Sequence, residues 1–510
     1  MRFFFFISFL LLFAGTRAQK PGTSDSLYLY QQTSNELKFL QTNMTQLISS
    51  SITKAGIASL HFTNTSGHFH RVQEPEYQKT AGLTTEGFST LGRFKTAGYF
   101  SFTRSWDDSL AWTQKSKNSQ EQPYYFASAK AGPYLRQEYR MGGIISYNAI
   151  LQKLFIGAGI NYQYADAFRS IDPRLSAKDF SLILTPEISY RWHNTTAGIG
   201  LRWGYGKQNY GVGYKNSSYN TGSETYPERV NYIVRGYGNI SHTTNTLIKK
   251  QRYSGLSANF STHLLRWEVR GTAGYNVDEE DNAYPISGAI RDSLLATFQT
   301  ETAFGTLLLQ QHGRLGNQQV KMGIANKKGR DYNIMAGAST YTYRHTNFNI
   351  QYLLHFTAPA STSFEIGASA DYVNTYRKDG ISSHLLRYKS IQPGIQGTLY
   401  TTAGSDRISV TLAPALRLPM HSELLVPPTQ VNYFTKEVVY PDYIYQTTKT
   451  WETAIAATYI THRLLKTFTS GLSGRLVYTQ PLHTPETTLP ANLIPNKHRL
   501  YASLSFNLYF

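Results

Sequence analysis

The stretch that decides the fold is Lys497–Phe510, KHRLYASLSFNLYF. Taking every second residue separates two rows. Leu500, Ala502, Leu504, Phe506, Leu508 and Phe510 form one, and Arg499, Tyr501, Ser503, Ser505, Asn507 and Tyr509 form the other. Strict alternation of this kind makes a strand with one apolar face and one polar face. The stretch ends on an aromatic residue with no polar tail. A strand sealing a lipid-embedded barrel ends this way, with an aromatic ring at the membrane interface. The rest of the chain is read against that expectation.

The composition agrees. The 510 residues are 41% hydrophobic with a mean hydropathy of -0.37, too polar for a bundle of membrane helices. There are 38 Tyr and 27 Phe but no Cys. Aromatic enrichment at modest hydrophobicity fits a barrel in which half of each strand faces water and aromatic girdles mark the interfaces. Lack of Cys excludes disulfides, thiolate metal sites, a Cys nucleophile and a lipid-anchored N-terminal Cys. The formal net charge is +18. The densest basic stretches, Lys249-Lys250-Gln251-Arg252 and Lys327-Lys328-Gly329-Arg330, are too sparse for a nucleic-acid site. Outer-membrane lipid and lipopolysaccharide phosphates are the expected partners of this charge, and nucleic acid is not.

Residues 1–18 read as a signal peptide: Arg2 supplies charge, Phe3 to Phe13 the apolar core, and Thr16-Arg17-Ala18 the cleavage site. Residues 19–50 form an N-terminal extension. Thr33-Ser34-Asn35-Glu36 matches a capping box, and Leu37, Leu40, Met44 and Leu47 recur at helical spacing. A short helix is expected there, as a periplasmic cap or lumen insert. The extension is much too short for the plug domain of a TonB-dependent receptor.

Residues 51–510 alternate at period two between turn signals. In Asp179–Trp192 the apolar row is Phe180, Leu182, Leu184, Pro186, Ile188, Tyr190 and Trp192. Leu265–Val277, Arg407–Leu418 and Thr467–Tyr478 repeat the pattern. Such runs are about 10 to 15 residues. A tilted strand needs roughly 9 to 11 to cross hydrocarbon, whereas soluble strands average about 5 to 6. Short connections (Leu91-Gly92-Arg93, Asn148 to Leu151, His193 to Thr196, Thr262-His263, Gly404-Ser405-Asp406) alternate with long ones (Ser105–Pro133, Ala165–Lys178, Lys207–Lys249, Asp278–Ser293, Met420–Lys449, Gln480–Asn496). The expected fold is all-β: an antiparallel transmembrane outer-membrane β-barrel of about 18 strands, within about 14 to 20. In Gln310–Ala360 the alternation falters, and hairpins are expected around Lys328 and His345.

Several segments carry a family resemblance: Leu83-Thr84-Thr85-Glu86-Gly87-Phe88, Gly98-Tyr99-Phe100-Ser101-Phe102-Thr103, Pro123-Tyr124, Gly157-Ala158-Gly159-Ile160-Asn161-Tyr162, Asp172-Pro173-Arg174 and Leu184-Thr185-Pro186. Together they resemble an uncharacterised outer-membrane barrel family of Bacteroidetes, a domain of unknown function. The resemblance implies a compartment, an architecture and an accessory part beside TonB-linked uptake components. It implies no catalytic residue.

Charges on a lipid face would cost roughly 2 to 4 kcal/mol each near the midplane. The charged rows therefore point inward. Arg136, Glu138 and Arg140 share one row, Glu187 and Arg191 a second, and Arg266, Glu268 and Arg270 a third. They read as a lumenal charge ladder, either an ion-pair network stiffening the barrel or a cationic path selecting anions. His68 and His70, near His61, Glu74 and Glu76, have weak metal-ligand spacing, and Asp278-Glu279-Glu280-Asp281 lacks the glycine of a calcium loop. Both read as solvated loops. No nucleophile elbow or His-Glu-x-x-His motif occurs. The expectation is a barrel without metal or cofactor that binds or passes a solute, or serves an uptake system, and makes or breaks no bond. The alternatives are a barrel phospholipase or protease, and an adhesion or scaffolding barrel.

Overall fold

The computed structural model describes residues 42–509 apart from 51–53, 117–120, 222–224, 287, 289–291, 314–315, 357–361, 465–468, 484, 486 and 488. The expected signal peptide, most of the extension including its capping box, Leu37 and Leu40, and Phe510 lie outside the described residues.

Among the described residues, eighteen long strands run from Lys54–Ser66 to Arg499–Tyr509, each antiparallel to its neighbours in sequence. The first also pairs with the last, from Ile57 opposite Tyr509 to Ser66 opposite Leu500. The sheet is closed and has no free edge, the only strand arrangement that hydrocarbon tolerates. Alternation sets the faces. In Thr195–Gly213, Ile199, Leu201, Trp203 and Tyr205 are exposed, while Gly198, Gly204 and Gly206 point inward against neighbouring strands. Exposed apolar rows continue from strand to strand: Leu184 lies opposite Trp203, Leu201 opposite Leu256, and Ile188 opposite Ile199, which faces Ala258 in turn. A face this apolar and continuous needs lipid against it.

Strands range from 11 residues in Arg499–Tyr509 to 21 in Ser293–Gly313, longer than the apolar alternation indicates. Asp278-Glu279-Glu280-Asp281 is not a loop but lies within Trp267–Tyr284. Lys328 and His345 sit inside Gly316–Asn333 and Tyr341–Phe356, not at hairpins. Ala165–Lys178 shrinks to the link between strands ending at Arg169 and starting at Arg174. Thr262-His263 is strand, and the turn follows at Leu265 and Arg266, where Leu265 takes φ +57°. The cause is common to all four. Ladder hydrogen bonds continue past the membrane, where both faces are wet and hydrophobic alternation stops reporting them.

The barrel has a short-turn end and a long-loop end. At the long-loop end the connections fold inward. Tyr124–Ala127, Tyr232–Arg235 and Ile240–His242 form a small three-stranded sheet, joined by the helix Tyr440–Thr447. Their Trp112, Tyr125, Val234, Tyr237, Phe434 and Val438 are buried against the inward-facing Phe298, Tyr341, Tyr343, Leu386 and Tyr388. A second cluster joins Tyr124, Phe126 and Ile233 to Tyr134, Tyr210 and Leu247 on the opposite wall. The hydrophobic core of this barrel is therefore an outer plug.

Candidate functional site

At the short-turn end a single helical turn and a half, Met44–Ser49, lies inside the lumen. Asn43 caps it, its side chain accepting from the Gln46 amide at 3.0 Å. Five of its six residues are buried. Leu47 packs on Ile57, Phe88 and Ala97, and Met44 and Ile48 pack on Phe155. A helix this short has no stability of its own, so the wall must supply it.

The wall does so mainly through the helix backbone. Glu187 accepts from the Met44 and Thr45 amides, both at 2.9 Å, from the Thr45 hydroxyl at 2.5 Å and from Asn259 Nδ2 at 3.1 Å. At the other end Arg191 donates to the Ile48 carbonyl at 2.8 Å, and Lys95 to the Ser50 carbonyl at 2.7 Å. A carboxylate at the first turn and two cations at the last match the helix dipole at both ends. Gln46 Nε2 donates to the carbonyls of Phe260 and Gly271, and Asn43 Nδ2 to Thr272 Oγ1. Beside the helix start is a cavity of about 210 Å³, whose polar lining includes Asn43, Thr185, Arg202, Ser257, Asn259 and Asn276.

Gly198 leaves the room this seat needs. A Cβ there would fall 2.2 Å from Thr45 Oγ1 and 2.4 Å from Ser189 Oγ. Gly198→Val is therefore expected to expel the helix while the barrel stays closed. Limited proteolysis should cut near residue 45 in the variant and not in the native protein, with heat-modifiable migration of both unchanged.

The ladder residues are distributed, not continuous. Arg136 is half-buried at the long-loop end, ion-paired with the buried Asp107 under the outer plug. Glu138 and Arg140 pair with each other at 2.9 Å facing the lumen. Glu187 and Arg191 hold the helix. Glu268 and Arg270 pair near the short-turn end, Nε to Oε1 at 2.7 Å. Arg266 departs from the expectation: it sits in an exposed turn, because the strand begins only at Trp267. Lys95, Asn43 and Asn259, all part of the seat, carried no local sequence signal. The helix reaches only one side of the lumen; inward-facing Lys321, Asp371 and Arg475 on the opposite wall are exposed.

At the outer plug, Trp112 donates from its indole to Glu437 at 2.8 Å and stacks on Tyr232. Asp379 accepts from the amides of Tyr237, Ile381 and Ser382, tying one loop to another. Asp442 accepts from the Val72 amide at 3.0 Å. Burial pushes its carboxyl up to about 6, against the pull of Arg71. An acid whose pKa rises on folding stabilises the fold in its protonated form. That contribution is complete below the ordinary carboxylate range and lost as pH rises through about 6. Intrinsically corrected hydrogen exchange at Val72 is expected to be slower at pH 5 than at pH 7.5, and Asp442→Asn should remove the difference.

Near the plug, His68 Nδ1 lies 3.3 Å from Glu76 and His70 Nδ1 lies 2.7 Å from the Arg71 carbonyl. Among the described residues no group of three His, Cys, Asp or Glu side chains is placed to hold a metal ion.

The chain is similar in solved structures to the siderophore receptor PiuA from Acinetobacter baumannii (10% identity, 89% of this chain and 82% of that one, TM-score 0.40). It is similar to the copper transporter OprC (7%, 89% and 80%, TM-score 0.41) and to the ferric citrate transporter FecA without ligand (8%, 90% and 79%, TM-score 0.40). Likeness at this level carries no argument about ligand or partner. No curated protein matches the chain. A family model matches residues 44–510, which run from the first residue of the lumenal helix through every barrel strand. The chain belongs to the family of unknown function DUF6850.

Proposed function

We propose that this barrel sits in the outer membrane of a Gram-negative bacterium, short turns toward the periplasm, and binds a solute whose passage is closed at the outer end by the folded loops and narrowed at the other by the lumenal helix. One observation carries the reading: inward-folded loops fill the outer end, and a dipole-matched helix occupies the periplasmic side. A freely open pore needs neither. Selection is passive, by the outer loops and by the charges of both signs that line the lumen below the plug, among them Glu138, Arg140, Lys321, Asp371 and Arg475. A role as receptor or accessory subunit in TonB-linked uptake accords with the resemblance to Bacteroidetes barrels. Liposome swelling tests the gate. Native barrels should exclude a trisaccharide, and rapid entry of one would overturn the reading.

A further inference from the structure

The outward face of the barrel is not uniform above its apolar band. On four neighbouring strands, Gly316–Asn333, Tyr341–Phe356, Thr362–Asp379 and His384–Ala403, the register aligns Ile324, Phe348, Tyr372 and Ile391 in one apolar row. Two residues further toward the long-loop end the row is Asn326, Thr346, Asn374 and Lys389. The next is Lys328, Arg344, Tyr376 and Arg387, and the next holds Arg330 and Lys378. Six cations thus share one patch. With strands about 4.8 Å apart and rows about 7 Å apart, it measures roughly 14 Å each way.

These cations lack the partners that cations elsewhere on the same face possess. On Leu247–Leu264, Lys250 pairs with Asp292 at 2.8 Å, and Arg252 pairs with Glu279 at 3.1 Å and Asp281 at 3.2 Å. Among the described residues, none of the six forms an ion pair. The acidic neighbours in register are Glu301 beside Lys328 and Glu423 beside Arg387. Five of the six are exposed, and Lys389 is half-buried. Cations without carboxylate partners, one to three rows above a lipid-facing apolar row and with Arg344 lying over the Tyr376 ring, fit an amphiphile whose charge lies above its apolar chains.

We infer that this patch is a binding site for a glycolipid bearing two or more head-group phosphates, of the kind lipopolysaccharide presents. Its phosphates lie on Lys328, Arg330, Arg344 and Arg387, and its acyl chains lie along Ile324, Phe348, Tyr372 and Ile391. Bidentate guanidinium–phosphate geometry makes the three arginines the stronger anchors. The inference rests on the outer-membrane placement. The patch lies outside the lumen, so its failure would leave the gating result untouched.

The test titrates the full barrel in detergent with diphosphorylated lipid A and with its enzymatically dephosphorylated form, read by native mass spectrometry. The native protein should retain the phosphorylated lipid and discriminate against the other by at least about tenfold. Lys328→Gln/Arg330→Gln/Arg344→Gln/Arg387→Gln should weaken binding on the order of 100-fold. Lys250→Gln/Arg252→Gln, on paired cations, should bind as the native protein does. Heat-modifiable migration confirms that each variant is folded. Equal binding by the quadruple variant, no preference for the phosphorylated form, or full competition by millimolar inorganic phosphate would each overturn the assignment.

Discussion

Glu187→Ala is expected to release the lumenal helix from the wall and widen the lumen at the short-turn end of the barrel. The carboxylate serves two backbone amides, the Thr45 and Ser189 hydroxyls and one side-chain amide, all buried. Hydrogen bonds to a charged group are worth about 1.5 to 3 kcal/mol each, and buried donors left without an acceptor cost about 1 to 3 kcal/mol. These terms are not additive, but a local loss of about 3 to 5 kcal/mol exceeds anything a six-residue helix can recover. Protease access near residue 45 should rise severalfold, and in a Trp112→Ala background, where the outer plug is loosened, single-channel conductance in planar bilayers should rise with it. Glu187→Gln keeps one acceptor oxygen and should fall between. Unchanged conductance in that background, with unchanged protection near residue 45, would show that the helix does not gate the lumen.

The outer plug has its own weak point at Trp112. The side chain is 2% exposed, meets Phe434 edge-on, stacks on Tyr232 and bonds Glu437. Its carbonyl accepts from Gln73, bringing a fourth loop into the cluster. Removing a buried large aromatic costs about 3 to 5 kcal/mol, and the Glu437 carboxylate would also lose a donor. Trp112→Ala should loosen the plug without opening the barrel, since eighteen paired strands do not depend on it. Chymotrypsin should then cleave within residues 110–132 and 425–449 while the barrel keeps its heat-modifiable migration. Resistance equal to the native protein would mean that the loops hold one another without this ring.

Much of the fold was legible because lipid imposes a strict period. Phe180, Leu182, Leu184, Pro186, Ile188, Tyr190 and Trp192 all belong to the outward row, and Ile183, the exception in the alternation, points inward beside Gly204. Legibility failed where lipid ends. At Lys249–Arg252 and Asp278–Asp281 the period survives only in the choice of partner. Lys249 meets Glu280 inside the barrel at 2.9 Å, and Arg252 meets Glu279 outside at 3.1 Å. A hydrophobicity pattern cannot distinguish two wet faces. The seat was half legible. Glu187 and Arg191 could be assigned to the inward row, but not to a helix end. Lys95, Asn259 and Asn43 are single polar residues far apart in sequence, brought together only by closure of the sheet.

Most polar contacts that fix the lumenal helix end on peptide groups. Glu187 reads amide hydrogens, while Arg191 and Lys95 read carbonyl oxygens. Such a clasp fixes the path of the segment through groups that every residue carries, while Asn43, Thr45 and Gln46 add side-chain bonds to the wall and Met44, Leu47 and Ile48 pack on it. Drift in that segment should therefore be tolerated far better than drift in its receptor. By the same logic, a short synthetic peptide capped by Asn, built to be helical and keeping only the threonine, glutamine and apolar places of this turn, should compete for the berth.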